Sequence, residues 1–163
     1  MTEAPVLLRI DGAVSRSLAL SYDDLAAMPG GDQVVDVSRF HPTRRGDGVA
    51  LDALLRLAHP TAGANYVTLH AGRDDFHVSV PLPPLRAEGI VVYRVGAEPL
   101  GVREGGPIRL LIRDPSACQT GELDDCANVK YLDRIEVTIL RGRDTRPEDE
   151  AAHAALHERQ AGA

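Results

Sequence analysis

Glu104-Gly105-Gly106-Pro107-Ile108-Arg109-Leu110-Leu111-Ile112 is the stretch on which the reading of this chain turns. Ile108 and Leu110 to Ile112 read as a buried strand, and one arginine is set into it. Burying an unpaired guanidinium is costly, so Arg109 calls for an acidic or phosphate partner. The Gly-Gly-Pro ahead of it fixes how the backbone enters the strand and leaves room for a ligand beside the main chain. Further on, Asn128-Val129-Lys130 follows a loop of mixed polarity, and Lys130 is the only lysine in the chain. A short helical turn there, with free amides and a lysine, suits an anionic group. Neither feature is specific alone. A strand arginine is usually paired with a protein carboxylate, and a lysine beside a tyrosine is usually solvated.

Outward from these two blocks, the pattern predicts many short strands and few helices. Strands are expected at 6–10, 18–20, 33–37, 90–95, 108–113 and 134–140. A hairpin is expected from 65–71 and 76–80, joined by Gly72-Arg73-Asp74-Asp75. Alternation along both arms gives one buried and one wet face, with His70 and His77 exposed beside the turn. Ser21 caps a short helix over 22–28, with Asp23 and Asp24 in its first turn. A second helix spans 51–58 and stops at His59-Pro60. Residues 38–48 read as a polar loop carrying Arg39, His41, Arg44 and Arg45, a loop suited to an anion or simply hydrated. A doubly wound sheet needs a helix between most strands, so the class expected is α+β, mixed β-sheets with a few short helices.

Taken in order, the blocks resemble a known family. Asp11-Gly12 is followed by Ser21-Tyr22-Asp23-Asp24-Leu25, then by Gly48-Val49-Ala50-Leu51-Asp52-Ala53-Leu54-Leu55. Next come Ala64-Asn65-Tyr66-Val67-Thr68, Ser79-Val80-Pro81-Leu82, and Tyr93 with Glu98-Pro99-Leu100. Gly105-Gly106-Pro107-Ile108-Arg109 and Asn128-Val129-Lys130-Tyr131-Leu132-Asp133-Arg134-Ile135-Glu136-Val137 close the series and are its specific members. The stretch is similar to the oxidoreductase molybdopterin-binding domain, the sulfite oxidase fold. The resemblance implies a molybdopterin cofactor whose phosphate end meets the strand arginine and the residues leading to the closing lysine. By match these are Arg109, Asn128, Val129 and Lys130.

The same resemblance exposes departures. Catalytic members place a molybdenum-binding cysteine after the strand that precedes the Gly48-Val49 block, where soft sulfur suits the metal. Here the region reads Val34-Val35-Asp36-Val37-Ser38-Arg39-Phe40-His41. Ser38, or Asp36 if the loop is shifted, takes the cysteine's place. An alcohol is a poor soft-metal ligand, which argues against molybdenum ligation and ordinary sulfite oxidation. Glu104 stands where many relatives have His or Asn, and a carboxylate there repels an anionic cofactor unless protonated or paired. The additional N-terminal segment that helps relatives hold the pterin is expected to be missing.

Bulk properties set the remaining bounds. The 163 residues carry a net charge of −6, with 44% hydrophobic and 26% charged residues. This fits one globular domain over 1–140 and a polar, partly helical or disordered tail over 141–163. The negative balance speaks against nucleic acid and anionic membrane surfaces as partners, though a local basic pocket remains open. No apolar run approaches the roughly 18 residues of a membrane span, and no basic-then-apolar leader opens the chain, so a cytoplasmic location is expected. Scarce lysine beside abundant Arg, Ala and Gly suggests a GC-rich, bacterial coding genome. Two cysteines, Cys118 and Cys126, make no disulfide framework. They stand as reduced thiols, a loop-closing disulfide, or a redox or metal site. His153 and His157, one helical turn apart, form a weak metal pair. The leading reading is therefore a divergent family member that binds a pterin or other phosphorylated small molecule through Arg109 and Lys130. Two other classes stand beside it: a cofactor-free interaction module with Arg109 paired to an acid, and a thiol redox protein using Cys118 and Cys126.

Overall fold

A computed structural model describes residues 4–114 and 128–145. Within them the chain runs β1 (Leu8–Gly12), β2 (Leu18–Leu20), α1 (Tyr22–Ala26), β3 (Gln33–Val34), β4 (Asp47–Ala50) and α2 (Leu51–Ala58). It continues through β5 (Tyr66–Ala71), β6 (Phe76–Pro81), α3 (Leu82–Glu88), β7 (Gly89–Val95), β8 (Glu98–Pro99), β9 (Arg109–Ile112) and β10 (Arg134–Thr138). The α+β class follows, as the alternation predicts. No helix among the described residues is long and apolar enough to cross a membrane.

Local chemistry explains the helices. At α1 the Ser21 hydroxyl accepts from the Asp24 amide at 3.2 Å, and the Asp24 carboxylate accepts from the Ser21 amide at 2.8 Å. Two of the four orphan amides of the first turn are thereby satisfied. Helix α2 buries Leu51, Ala53, Leu54, Leu55 and Ala58 and ends where His59 turns left-handed, at φ 54°. Helix α3 was not foreseen, because Pro83-Pro84 reads as a breaker. Both prolines sit in its first turn, where a missing amide breaks no helical hydrogen bond.

Two five-stranded sheets carry the core. The first has the order β2-β1-β10-β5-β6, with β1 parallel to β10 and the other pairs antiparallel. In the second, β3, β4 and β7 pair in that order. The far edge of β7 is shared by β8 near Arg94 and β9 from Gly89 to Val92. One apolar cluster joins the sheets and helices, including Ile10, Leu54, Leu69, Val78, Leu85, Tyr93, Leu110 and Ile135. A smaller one, Val34, Val37, Ile90, Val92, Leu100 and Leu111, backs the opposite face of the second sheet. Strand β9 therefore lies between two apolar layers, and all four of its residues are buried. That places Arg109 inside the protein.

Several expectations are corrected. The strand expected at 33–37 stops at Val34, since Asp36 adopts φ 60° and its carboxylate accepts from the Ser38 amide. Strand β4 replaces the end of the expected loop, and β10 ends at Thr138. Residues 128–132 form bends and no helical turn. His70 and His77 are mostly covered, their side chains 14% and 10% exposed. The cover is residues 141–145, which run along β6: the Thr145 amide donates to the His77 carbonyl at 2.7 Å, and the Gly142 amide to the Ser79 hydroxyl at 2.8 Å. Cys118, Cys126, His153 and His157, and most of the expected tail, lie outside the described residues.

Candidate functional site

Glycine builds the floor of the site. Gly105 has φ +90°, and a Cβ on it would stand 3.1 Å from Lys130 Cγ and 3.3 Å from Arg109 Nη1. Gly106 packs so tightly that a Cβ would lie 2.1 Å from the Leu100 carbonyl. The two glycines thus let backbone press on backbone and bring the strand arginine and the lone lysine to either side of one peptide. The Gly105 carbonyl accepts from the Tyr131 amide at 2.8 Å, which fixes the lysine-bearing segment against the turn.

Arg109 is 3% exposed. Its Nη1 donates to the backbone carbonyl of Glu104 at 3.0 Å, and its Nε is buried with no acceptor. Among the described residues no carboxylate forms an ion pair with it. Burial, and then the charge of Arg44, pull its pKa down to about 10, with Tyr131 opposing. Lys130 is shifted the same way, by burial first and then by Arg109 and Arg44, while Asp74 opposes. Two like charges are held close and partly dry, an arrangement that favours an anion beside them.

A cleft of about 120 Å³ opens beside Arg109, lined by Thr43, Arg44, Arg45, Arg103 and Glu104. The loop bearing Arg44 is folded onto the body. The Val37 amide donates to Gly46, the Arg44 amide to His41, and His41 Nε2 to the Ile112 carbonyl. A carbonyl only accepts, so Nε2 carries the proton of that ring. His41 consequently anchors the loop to β9 and is not itself presented to the cleft. Glu104 turns its carboxylate toward Gly101. Against a chain of net charge −6, four arginines around one small opening, with Lys130 close to Arg109 across Gly105, reverse the local sign.

The sequence-expected residues divide in two. Arg109 and Lys130 meet at Gly105. Asn128 instead spends its side-chain oxygen on the Ile112 amide at 2.7 Å, and Val129 is 1% exposed, in the core. Both hold the end of β9. Ser38 donates its hydroxyl to Asp36 and does not line the cleft. Arg103 and Thr43 were not foreseen, and the only signal for Arg103 was its place two residues before Gly105-Gly106-Pro107.

Comparison with known proteins now bears on this arrangement. Residues 43–141, more than half of the chain, match the oxidoreductase molybdopterin binding domain. The chain belongs to this family. The match spans the arginine loop, the Gly-Gly-Pro turn, β9 and the lysine segment, so this molybdopterin-binding domain contains every residue of the cleft. The crystal structure of the sulfane dehydrogenase SoxCD from Paracoccus pantotrophus has the same fold, with a TM-score of 0.60 at 18% identity. The likeness covers 82% of this chain and 38% of that one, so this chain spans well under half of that protein's length. No curated protein sequence matches.

Proposed function

We propose that this domain binds the phosphate end of a molybdopterin, or of another phosphorylated small molecule, through Arg109 and Lys130 with Arg44 and Arg103 at the rim. The observation that carries the reading is Arg109: buried, unpaired with any carboxylate among the described residues, and left with an orphan Nε. A buried donor without an acceptor costs about 1–3 kcal/mol. An oxyanion offers that acceptor and a countercharge together. The cofactor-free alternative requires a protein acid on Arg109, and none is present among the described residues. The thiol alternative rests on Cys118 and Cys126, which lie outside them.

The residues fit one end of the family's cofactor and not the other. The phosphate end meets a cradle that any Cβ at Gly105 would fill. At the metal end, residues 34–41 supply no thiolate, and the Ser38 hydroxyl is committed to Asp36. We therefore derive no redox step through molybdenum. The cleft holds about four water volumes, well under the roughly 300 Å³ of ordinary small-molecule pockets. An oxyanion sits inside it, and the rest of a larger ligand extends over the rim. The test is calorimetric titration of the full chain with inorganic phosphate and with a pterin phosphate. It is paired with oxidation of the purified protein and fluorescence detection of any released pterin. Binding lost in Arg109→Met supports the reading. Equal binding by that variant sinks it.

A further inference from the structure

On the first sheet, away from β9, His70 and His77 stand opposite one another in the β5–β6 register. The His77 amide and carbonyl bond outward to Thr145, and the His70 carbonyl accepts from Asp133. The two histidines are thus a non-hydrogen-bonded cross-strand pair, the kind whose side chains come closest. Their rings meet edge to face at 4.9 Å, with the two Nδ1 atoms 2.7 Å apart.

The outer nitrogens decide what lies between the inner ones. His70 Nε2 is 3.0 Å from Glu136 Oε1, and Glu136 also pairs with Arg134. His77 Nε2 is 2.8 Å from Asp75 Oδ1. Asp75 also pairs with Arg143, at 3.2 Å. Ionised carboxylates only accept, so both Nε2 atoms carry hydrogen. Both Nδ1 lone pairs then face each other, and only a cation between them relieves the repulsion. A carboxylate on the outer nitrogen of each ring is also the support that metal-binding histidines typically have.

We propose that His70 and His77 form a site for a divalent first-row transition metal, copper above zinc, with the two Nδ1 atoms as ligands and Glu136 and Asp75 as orienting carboxylates. Among the described residues no three His, Cys, Asp or Glu converge on one point, so water completes the coordination sphere. Metal–nitrogen bonds of about 2.0 Å at a right angle place two nitrogens about 2.8 Å apart. The rings need to part by only about 0.1 Å from the observed spacing, whereas a tetrahedral ion demands more. The tetragonal preference and high imidazole affinity of Cu²⁺ match that geometry.

The test uses the full chain, stripped with chelator and titrated with Cu²⁺ and, separately, Zn²⁺ by calorimetry. Ring ¹⁵N spectra follow the Zn²⁺ titration. One ion per chain is expected, with Cu²⁺ tighter and with Zn²⁺ shifting the Nδ1 signals of His70 and His77. His70→Asn and His77→Asn should each weaken binding at least tenfold. Glu136→Gln, which leaves both ligands in place, should weaken it by about tenfold or more. This variant keeps the test alive should an asparagine variant fail to fold. Binding that persists in the double asparagine variant overturns the proposal. So does a proton between the rings that neither metal displaces. Phosphate binding at the Arg109 cleft is untouched by either result.

Discussion

Arg109 donates to the backbone carbonyl of Glu104 and not to that residue's carboxylate. Its acceptor among the described residues is therefore neutral, and the charge of a buried guanidinium goes uncompensated by any of them. Replacing Arg109 by methionine should raise stability by about 1–3 kcal/mol, since an apolar side chain of similar length relieves the desolvation cost. For a chain of this size that is a melting temperature higher by about 3–8 °C. A cationic group whose pKa is depressed by folding destabilises the fold at all pH values below the folded one. The advantage of the variant should accordingly be full below about 10, where folded Arg109 titrates, and shrink as pH rises above it. Melting curves of the two proteins between pH 7 and 10.5 check the plateau and the onset of the decline.

Oxyanions should stabilise the wild-type chain. At equal ionic strength, replacing chloride by phosphate at about a hundred times its dissociation constant should add about 2.7 kcal/mol. Lys130→Met should weaken phosphate about tenfold, and Ser38→Ala should leave the affinity unchanged, because Ser38 is bound to Asp36 and does not line the cleft. Thermal shift against phosphate concentration separates the three proteins. A large loss in Ser38→Ala would move the binding site toward residues 34–41.

Arg86 bonds Asp52 at 2.6 Å and ties α3 to α2. That hydrogen bond, ahead of all other influences, holds the Asp52 carboxyl below its ordinary value. A carboxyl depressed by folding contributes stability above its unfolded value, near 3.9, and loses it as pH falls through the folded one. Asp52 is 47% exposed, so solvent screening keeps the contribution under about 1 kcal/mol. Asp52→Asn should lower stability by that amount at pH 6 and by progressively less as pH falls below about 3.9, as read by urea unfolding across that range.

Tyr93 donates its hydroxyl to Gln33 Oε1 at 2.8 Å, while Gln33 Nε2 donates to the carbonyls of Leu25 and Met28. One amide thus joins β7, β3 and the end of α1. Tyr93→Phe should cost about 1–3 kcal/mol by stranding the glutamine oxygen. Double substitution with Gln33→Leu should cost less than the two single losses summed.

How far the sequence carried the reading follows from the range of each interaction. Helix α2, the β5–β6 hairpin and the Ser21 cap depend on neighbours within one turn or one register, and they were legible. Strand β4 was not. Its Gly48 looked like loop, yet a Cβ there would lie 2.6 Å from the Val91 carbonyl. The glycine is required by a strand more than forty residues away in sequence. Arg109 was legible because a charge in an apolar strand conflicts with its surroundings. Arg44 and Arg103 conflict with nothing locally, and only folding brings them to the same opening. His70 and His77 were expected on a wet face, because nothing near them announces that residues 141–145 cover it.

Strand β10 lies between β1 and β5, parallel to the first and antiparallel to the second. During synthesis the first sheet must wait as two separate halves, each with a raw edge, until residues 134–138 have left the ribosome. Cutting the chain before Arg134 would remove a keystone and leave both halves unpaired. The longest-range contacts of this sheet therefore form last.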